Sequence, residues 1–271
     1  MLKIIHPNSE ILKKYIEYFY VLEGDWTQKL SYLAFPHYLN CVSFFKDIEI
    51  KRSDFQVEFS ESAKPNTHIE ILGKYLSPVR INYQGKIKEI SIIFKPLGIN
   101  RFLKKYYLLE APKFSQSFNN KNWLNFGETF LSNQIDLNIL EEFLLSELNE
   151  TNEISEFEKC LSYFHNYEQD FLILEIADHL GINLKTFQRH FTNHIGCSPV
   201  EYRRICRFRN AIDSKISSNE LKSLTEITFE NNFFDQSYFI KEFKKLTQHN
   251  PKDFFKVTHQ IDGKNIIWEI L

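Results

Sequence analysis

Over the last hundred residues the apolar positions repeat themselves. Phe187, Phe191, Pro199 and Tyr202 recur as Phe239, Phe243, Pro251 and Phe254, each 52 residues from its counterpart, as expected if one structural unit has been used twice. Phenylalanines four apart fall on one side of a helix, so Phe187 with Phe191, and Phe239 with Phe243, predict two amphipathic helices. Each has a start signal: Asn183 and Asp235, again 52 apart, stand where a side chain can accept from the first free backbone N–H groups. A further helix opens after each, at Ser198-Pro-Val-Glu201 and Asn250-Pro-Lys-Asp253, with proline at the first helical position. In the first unit Leu174 to Leu180 reads as a short leading helix with the small Ala177 at a close crossing. Gly181 ends it, and Leu184 to His194 follows. Ser223-Leu-Thr-Glu226 opens the leading helix of the second unit. Helix, tight turn, helix is the pattern of a helix-turn-helix.

The first hundred residues have a different period. Cys41 to Phe45, Phe55 to Phe59 and Glu89 to Phe94 are short strand-like runs punctuated by Pro, Gly and Asn, while Glu10 to Val21 reads as helix. From Gln116 to Tyr167, Phe126, Phe130, Leu137, Leu140, Leu144, Leu145 and Leu148 keep helical spacing. They predict connecting helices that pack on their own chain or form a dimer seam. The expected fold class is α+β: a β-rich N-terminal domain, a curved antiparallel sheet or barrel with helices, and an all-α C-terminal domain with two helix-turn-helix units joined by a long helix. The expected division is 1–112 for a sensor or dimerisation domain, 113–153 for a helical connector, 154–258 for the double helix-turn-helix and 259–271 for a C-terminal tail.

Charge adds a partner to this picture. The 271 residues carry a net charge of -2, but residues 183–256 hold 13 basic and 8 acidic side chains. A basic segment in an acidic chain points to a domain that meets phosphates. On the first amphipathic helix Lys185, Gln188 and Arg189 share the face opposite the phenylalanines, with Thr186 beside them. On the second, Gln236, Ser237, Ile240 and Lys241 take the outward positions, with Tyr238 between. Long donor-rich side chains on the first two turns of such a helix match the base edges of a major groove, and Ile240 suits a thymine methyl.

These residues resemble the AraC/XylS transcriptional regulators. The resemblance runs over about residues 154–257: Ile176-Ala177, Leu180-Gly-Ile, Phe187-Gln-Arg-His-Phe191, Gly196-Cys-Ser-Pro199, Tyr202, Arg207 and Ala211, then Ile227, Phe233 to Ser237, Phe239, Phe243-Lys-Lys245 and Pro251. The second unit departs from the family pattern at Thr228, Asn232 and Gln248, where Ala, Gly and Gly are usual. The resemblance implies base contacts from Lys185, Thr186, Gln188, Arg189, Gln236, Ser237, Tyr238, Ile240 and Lys241. Ala177, Phe187, Phe191, Phe239 and Phe243 would form the helix-turn-helix core. It also implies that Arg207 braces the two units. Arg203, Arg204 and Arg209 on the central helix are phosphate contacts or solvated. Phe35-Pro-His37, Ile71-Leu-Gly73 and Ile93 to Gly98 resemble the N-terminal domain of one branch of the family.

The implied partner is double-stranded DNA at a bipartite site, with a small-molecule effector, RNA polymerase and a second copy of the chain as further candidates. The rival reading is a helical-repeat module that binds protein. For an enzyme the sequence offers no Walker loop, GxSxG, GxGxxG or HExxH. His190 and His194 are four apart, but no acid or thiol completes a metal site, so no catalytic residue, metal or cofactor is expected. His37, His68 and Glu70 are too few for a metal site on the sheet. Phe35, Tyr38, Phe44, Phe45, Tyr75 and Tyr83 line a pocket or fill a core. Cys41, Cys160, Cys197 and Cys206 lack zinc or redox spacing and read as reduced thiols. With no basic segment leading into an apolar run, and no apolar stretch near the ~20 residues of a membrane span, a cytoplasmic protein is expected.

Overall fold

Alternation of apolar and polar positions governs the first half of the chain in the computed structural model, which describes residues 2–103, 114–149, 152–166, 171–218, 222–261 and 264–271. The strands are β1 (Leu2–Ile5), β2 (Ile16–Ala34), β3 (Asn40–Lys46), β4 (Ile48–Ser53), β5 (Gln56–Glu61), β6 (Thr67–Leu72), β7 (Val79–Phe94) and β8 (Ser115–Ser117). The helix expected over Glu10 to Val21 is replaced by a 3-10 turn at Leu12–Lys14 and the start of β2. Ile16, Tyr18, Phe19, Tyr20 and Val21 are β-branched or aromatic and suit a pleated surface. Pairing with β7 from Ile16 opposite Phe94 onward satisfies their backbone, so tertiary pairing overrides the helical spacing.

β2 and β7 are long antiparallel partners, shifted in register between Trp26 and Leu30. Past that bulge β7 changes neighbours: its first half runs parallel to β5, and its second half is antiparallel to β3. One strand therefore serves two half-sheets, which curves the whole. The parallel β5–β7 pair departs from the all-antiparallel expectation. Alternation divides β7 between two cores. Ile90, Ile92 and Phe94 join Val42, Phe44 and Ile71 beneath helices, whereas Ile87 and Ile93 join Phe45, Phe59 and Tyr83 on the other face.

The helices over the first of these faces are α1 (Lys121–Ser132) and α2 (Leu137–Glu147). Trp123, Leu140 and Leu144 are fully buried there, and the Trp123 ring stacks on Phe44 at 5.8 Å. This apolar stripe packs on its own chain, the first of the two alternatives left open by the sequence.

The remaining helices are α3 (Asn152–His165), α4 (Ile173–His179), α5 (Leu184–Ile195), α6 (Pro199–Ser217), α7 (Leu224–Glu230), α8 (Gln236–Thr247) and α9 (Pro251–Val257). Their two aromatic cores are separate. Phe187, Phe191, Ala177 and Tyr202 cluster with Phe157 and Phe164 of α3, and Phe239 and Phe243 cluster with Phe208, Ile227 and Phe254. Beyond them β9 (His259–Ile261) and β10 (Lys264–Ile270) return to the N-terminal sheet. Trp268 and Ile270 pair with Ala34 and Tyr32 of β2, so residues expected as a tail add strands to the first domain. The short 259–261 run gave no usable period by itself.

The three departures of the second unit are absorbed locally. Thr228 is fully buried, and its hydroxyl donates to the Leu224 carbonyl at 2.6 Å, so the helix crossing keeps no unsatisfied donor. Asn232 and Gln248 hold φ of 54° and 65°, the left-handed region where glycine usually stands and where asparagine is the best tolerated substitute. Asn232→Gly is expected to be close to neutral in chemical denaturation, and Asn232→Val to cost about 1–2 kcal/mol. Equal midpoints for the two variants would remove backbone conformation as the reason for this asparagine.

Candidate nucleic-acid interface

The two amphipathic helices α5 and α8 begin in the same way. Asn183 accepts from the Thr186 N–H at 2.9 Å, and Asp235 accepts from the Tyr238 N–H at 2.7 Å. Each is then anchored from below: Phe187 with Phe191, and Phe239 with Phe243, lie with ring centroids 5.6 Å apart in both units and are at most 2% exposed. Burying such a side chain is worth about 1.5–3 kcal/mol, so each pair fixes which face of its helix turns outward.

The outward faces carry the side chains expected there. Lys185, Gln188 and Arg189 are exposed on α5, with Thr186 half-buried, and Gln236, Ser237, Tyr238 and Lys241 are exposed on α8. Ile240, like Thr186, is not fully exposed. It is half-buried and packs on the second aromatic core, because position 240 follows the anchor Phe239 directly and turns partly beneath the helix. Among the described residues Lys185, Arg189 and Lys241 make no ion pair, so their charges face solvent.

Phe234, which sequence reasoning passed over, is 88% exposed at the head of α8, beside Tyr238 and Lys241. A signal for it exists in the numbering. Ala177 and Gly181 correspond to Thr228 and Asn232 at a spacing of 51, whereas every pair from the helix caps onward is 52 apart. The second turn is one residue longer, and Phe234 is the added residue.

The central helix α6 is held mainly from within. Its capping box is formed, with Ser198 accepting from the Glu201 N–H and Glu201 from the Ser198 N–H. Arg204 donates to Glu242 on α8, which also takes Lys245. The Arg207 guanidinium lies 6.0 Å from the centre of the Phe233 ring in the turn of the second unit, and Arg203 donates to the Phe171 carbonyl. Arg209 is corrected outright: it is 3% exposed and donates to the Pro36 and Phe35 carbonyls at 2.6 and 2.7 Å. Out of water and bonded to two carbonyls just past the end of β2, it is neither a phosphate contact nor solvated.

Arg209 also forms part of the wall of a cavity of about 140 Å³ inside the sheet. Of the aromatics flagged in the sequence, Phe35, Phe45, Tyr75 and Tyr83 line this cavity. Phe44 belongs to the core under α1, and Tyr38 packs against the first helix-turn-helix core. His37 is half-buried on the wall, its Nδ1 accepting from the Leu39 N–H. Burial, reinforced by Arg209 and Lys74, holds its pKa well below the ordinary value. Glu70 is bound by Arg52, Ser115 and Ser117. His194 is buried against Phe157, and no group of three or more His, Cys, Asp or Glu suited to a metal is assembled among the described residues. The four cysteines are buried and unbridged.

A helix-turn-helix family model matches residues 176–256, which spans both units and the central helix. The C-terminal region is an AraC-type helix-turn-helix domain. The Transposon Tn10 TetD protein of Escherichia coli is 28% identical over 107 residues, 39% of this chain and 70% of that protein. Among solved structures, ToxT from Vibrio cholerae aligns with a TM-score of 0.47 at 16% identity over 88% of this chain and 98% of its own. An AraC-type regulator from Chromobacterium violaceum aligns with a TM-score of 0.34 at 18% identity over 38% and 92%. A helix-turn-helix domain of this type is a DNA-binding module. No helix among the described residues is long and apolar enough to cross a membrane.

The Arg204–Glu242 contact ties the two units of this domain together. Glu242 is 6% exposed and Arg204 30%, so Arg204→Ala leaves a largely buried carboxylate with Lys245 alone. The expected cost is about 1–3 kcal/mol, read as faster amide exchange across Gln236–Thr247, whereas exchange in Leu184–Ile195 should be unchanged. Equal acceleration in both helices would show that the contact does not act on the second unit specifically.

Proposed function

We propose that the chain reads a bipartite DNA site, with α5 and α8 entering successive major grooves from one side of the duplex. The observation that carries the reading is the duplication. Two helices share a cap, an aromatic anchor pair and an exposed polar front, and residues 183–256 carry the basic surplus. Within the fronts, Gln188 and Arg189 suit adenine and guanine edges, Lys185 and Lys241 suit phosphates or guanine, and Thr186, Gln236, Ser237 and Tyr238 complete the contact surface. Phe234 and the exposed edge of Ile240 suit thymine methyls. Recognition helices about 34 Å apart would fall one helical turn apart on the duplex, so one molecule reads both half-sites without symmetry. The chain acts in the cytoplasm by binding rather than by catalysis.

Control through the N-terminal domain is part of this reading. Arg209 belongs to the helix that joins the two DNA-reading units, yet its guanidinium lies on the wall of the N-terminal cavity. A molecule in that cavity would touch the DNA-binding domain directly and favour one placement of α6 over another. A second copy of the chain and RNA polymerase are the further partners of a regulator of this kind.

Selection of bound duplexes from a random pool with the full chain is expected to return two conserved blocks about one helical turn apart. With such a site, Arg189→Ala should weaken binding by about 1–3 kcal/mol and relax preference at one base pair. Log affinity should fall linearly with log salt. A flat salt response and an unselected pool would leave the protein-interaction reading in place.

A further inference from the structure

We propose that the cavity of the N-terminal sheet binds a compact primary amine with an apolar body of about one ring, its ammonium group paired with Glu89. The binding step stands on the cavity's own chemistry, and its regulatory meaning rests on the effector-controlled reading given above.

The case begins with an uncompensated charge. Glu89 lies on the cavity wall and is 1% exposed. Its Oε1 accepts from the Tyr20 hydroxyl at 2.6 Å and the Ser91 hydroxyl at 2.7 Å, and its Oε2 accepts from the Tyr83 hydroxyl at 2.6 Å. All three donors are neutral, and Glu89 has no cationic partner among the described residues. The sheet treats its other buried acid differently, because Glu70 on the same wall pairs with Arg52 at 2.5 Å. A buried carboxylate is costly without an opposite charge. Three hydrogen bonds leave about one of its four lone-pair sites open, on Oε2, so the group is oriented and lacks only a charged donor.

The walls favour the same ligand. Phe45 stacks on Phe59 at 4.5 Å and Phe59 on Tyr83 at 5.5 Å, and these rings line the cavity with Tyr20 and Tyr32. Aromatic faces attract a cation and accept an apolar body. The volume of about 140 Å³ is close to the ~150 Å³ that holds benzene in an engineered apolar cavity. Arg209 does not cancel Glu89. Its guanidinium donates to the Phe35 and Pro36 carbonyls, whereas the groups that hold the Glu89 carboxylate are the hydroxyls of Tyr20, Ser91 and Tyr83. An anionic ligand of this size would set like charges together at the Glu89 end.

Calorimetric titration of the full chain at neutral pH with benzylamine, benzyl alcohol and benzoate separates charge from shape. Benzylamine is expected to bind at least tenfold more tightly than benzyl alcohol, and benzoate not at all. Glu89→Gln keeps the shape and removes the charge; its amide oxygen can still accept from Tyr20 and Ser91, while the Tyr83 hydroxyl must turn to accept from the amide N–H. The change should bring benzylamine to the level of the alcohol. Absence of binding by every probe in the millimolar range, an alcohol or benzoate as tight as the amine, or an amine preference that survives Glu89→Gln would overturn the proposal. If Glu89→Gln does not fold, the ranking on the unmodified chain decides alone. These titrations contain no DNA, so failure of the amine leaves the DNA-binding reading untouched, and loss of specific binding in the duplex selection leaves the amine result standing.

Discussion

Exclusion of four phenylalanine rings from water is the interaction on which the DNA-binding domain depends. A twelve-residue helix such as α5 or α8 is marginal by itself in water, and neither has an apolar front to settle its orientation. Phe187 with Phe191, and Phe239 with Phe243, lie on the opposite face and take their helices into separate cores. Once those rings are buried, a 3.6-residue period leaves Lys185, Gln188 and Arg189 no direction but outward. The polar front is therefore a consequence of the core, and so is its position. The caps at Asn183 and Asp235 add direction by fixing where each helix starts.

Arg209 does for the two domains what the phenylalanines do for the helices. A buried guanidinium needs acceptors, and it finds them in Phe35 and Pro36, just past the end of β2. The same end of β2 is held from another side by β10, with Trp268 opposite Ala34. Phe35 lies against Phe254 at 4.9 Å, and Lys74, its pKa pushed down to about 8 by burial, ties down the Tyr38 and Leu39 carbonyls. The turn between β2 and β3 is thus built into both domains at once.

The C-terminal domain was legible in the sequence because its signals are local. Cap, proline, aromatic pair and turn fall within a few residues of one another, and duplication shows each of them twice. Even its departures were readable, since the left-handed region tolerates asparagine at 232. The N-terminal domain was legible only as β-rich. Its long strands meet partners far along the chain, β2 with β7 and then with β10, and no short window contains such pairings. Arg209 was misread for the same reason. Charge groups it with Arg203 and Arg204, whereas helical period sets it on the face of Tyr202, Ile205 and Ile212, which are buried; the carbonyls that bind it are more than 170 residues away. The tail at 259–271 and the lengthened turn at Phe234 show the two extremes: pairing of the first with β2 had no local sign, whereas the second could be found by comparing spacings of 51 and 52.

A cavity beside a DNA-binding domain has no effect on it unless its occupant binds two arrangements of the molecule with different affinity. The wall supplies a route for such a difference. Tyr75, one of the lining residues, donates its hydroxyl to the Phe35 carbonyl, the same oxygen that receives Arg209. A ligand that moves Tyr75 or Phe35 alters the acceptor on which the α6 guanidinium depends, and α6 is the element that sets the separation of α5 and α8. A buried guanidinium displaced from its acceptors is unfavourable, so on the proposed reading an occupant of the cavity acts without any change inside either helix-turn-helix unit. On the proposed reading, control acts on the distance between two preformed reading heads, and each head keeps its own base preference whether or not the cavity is filled.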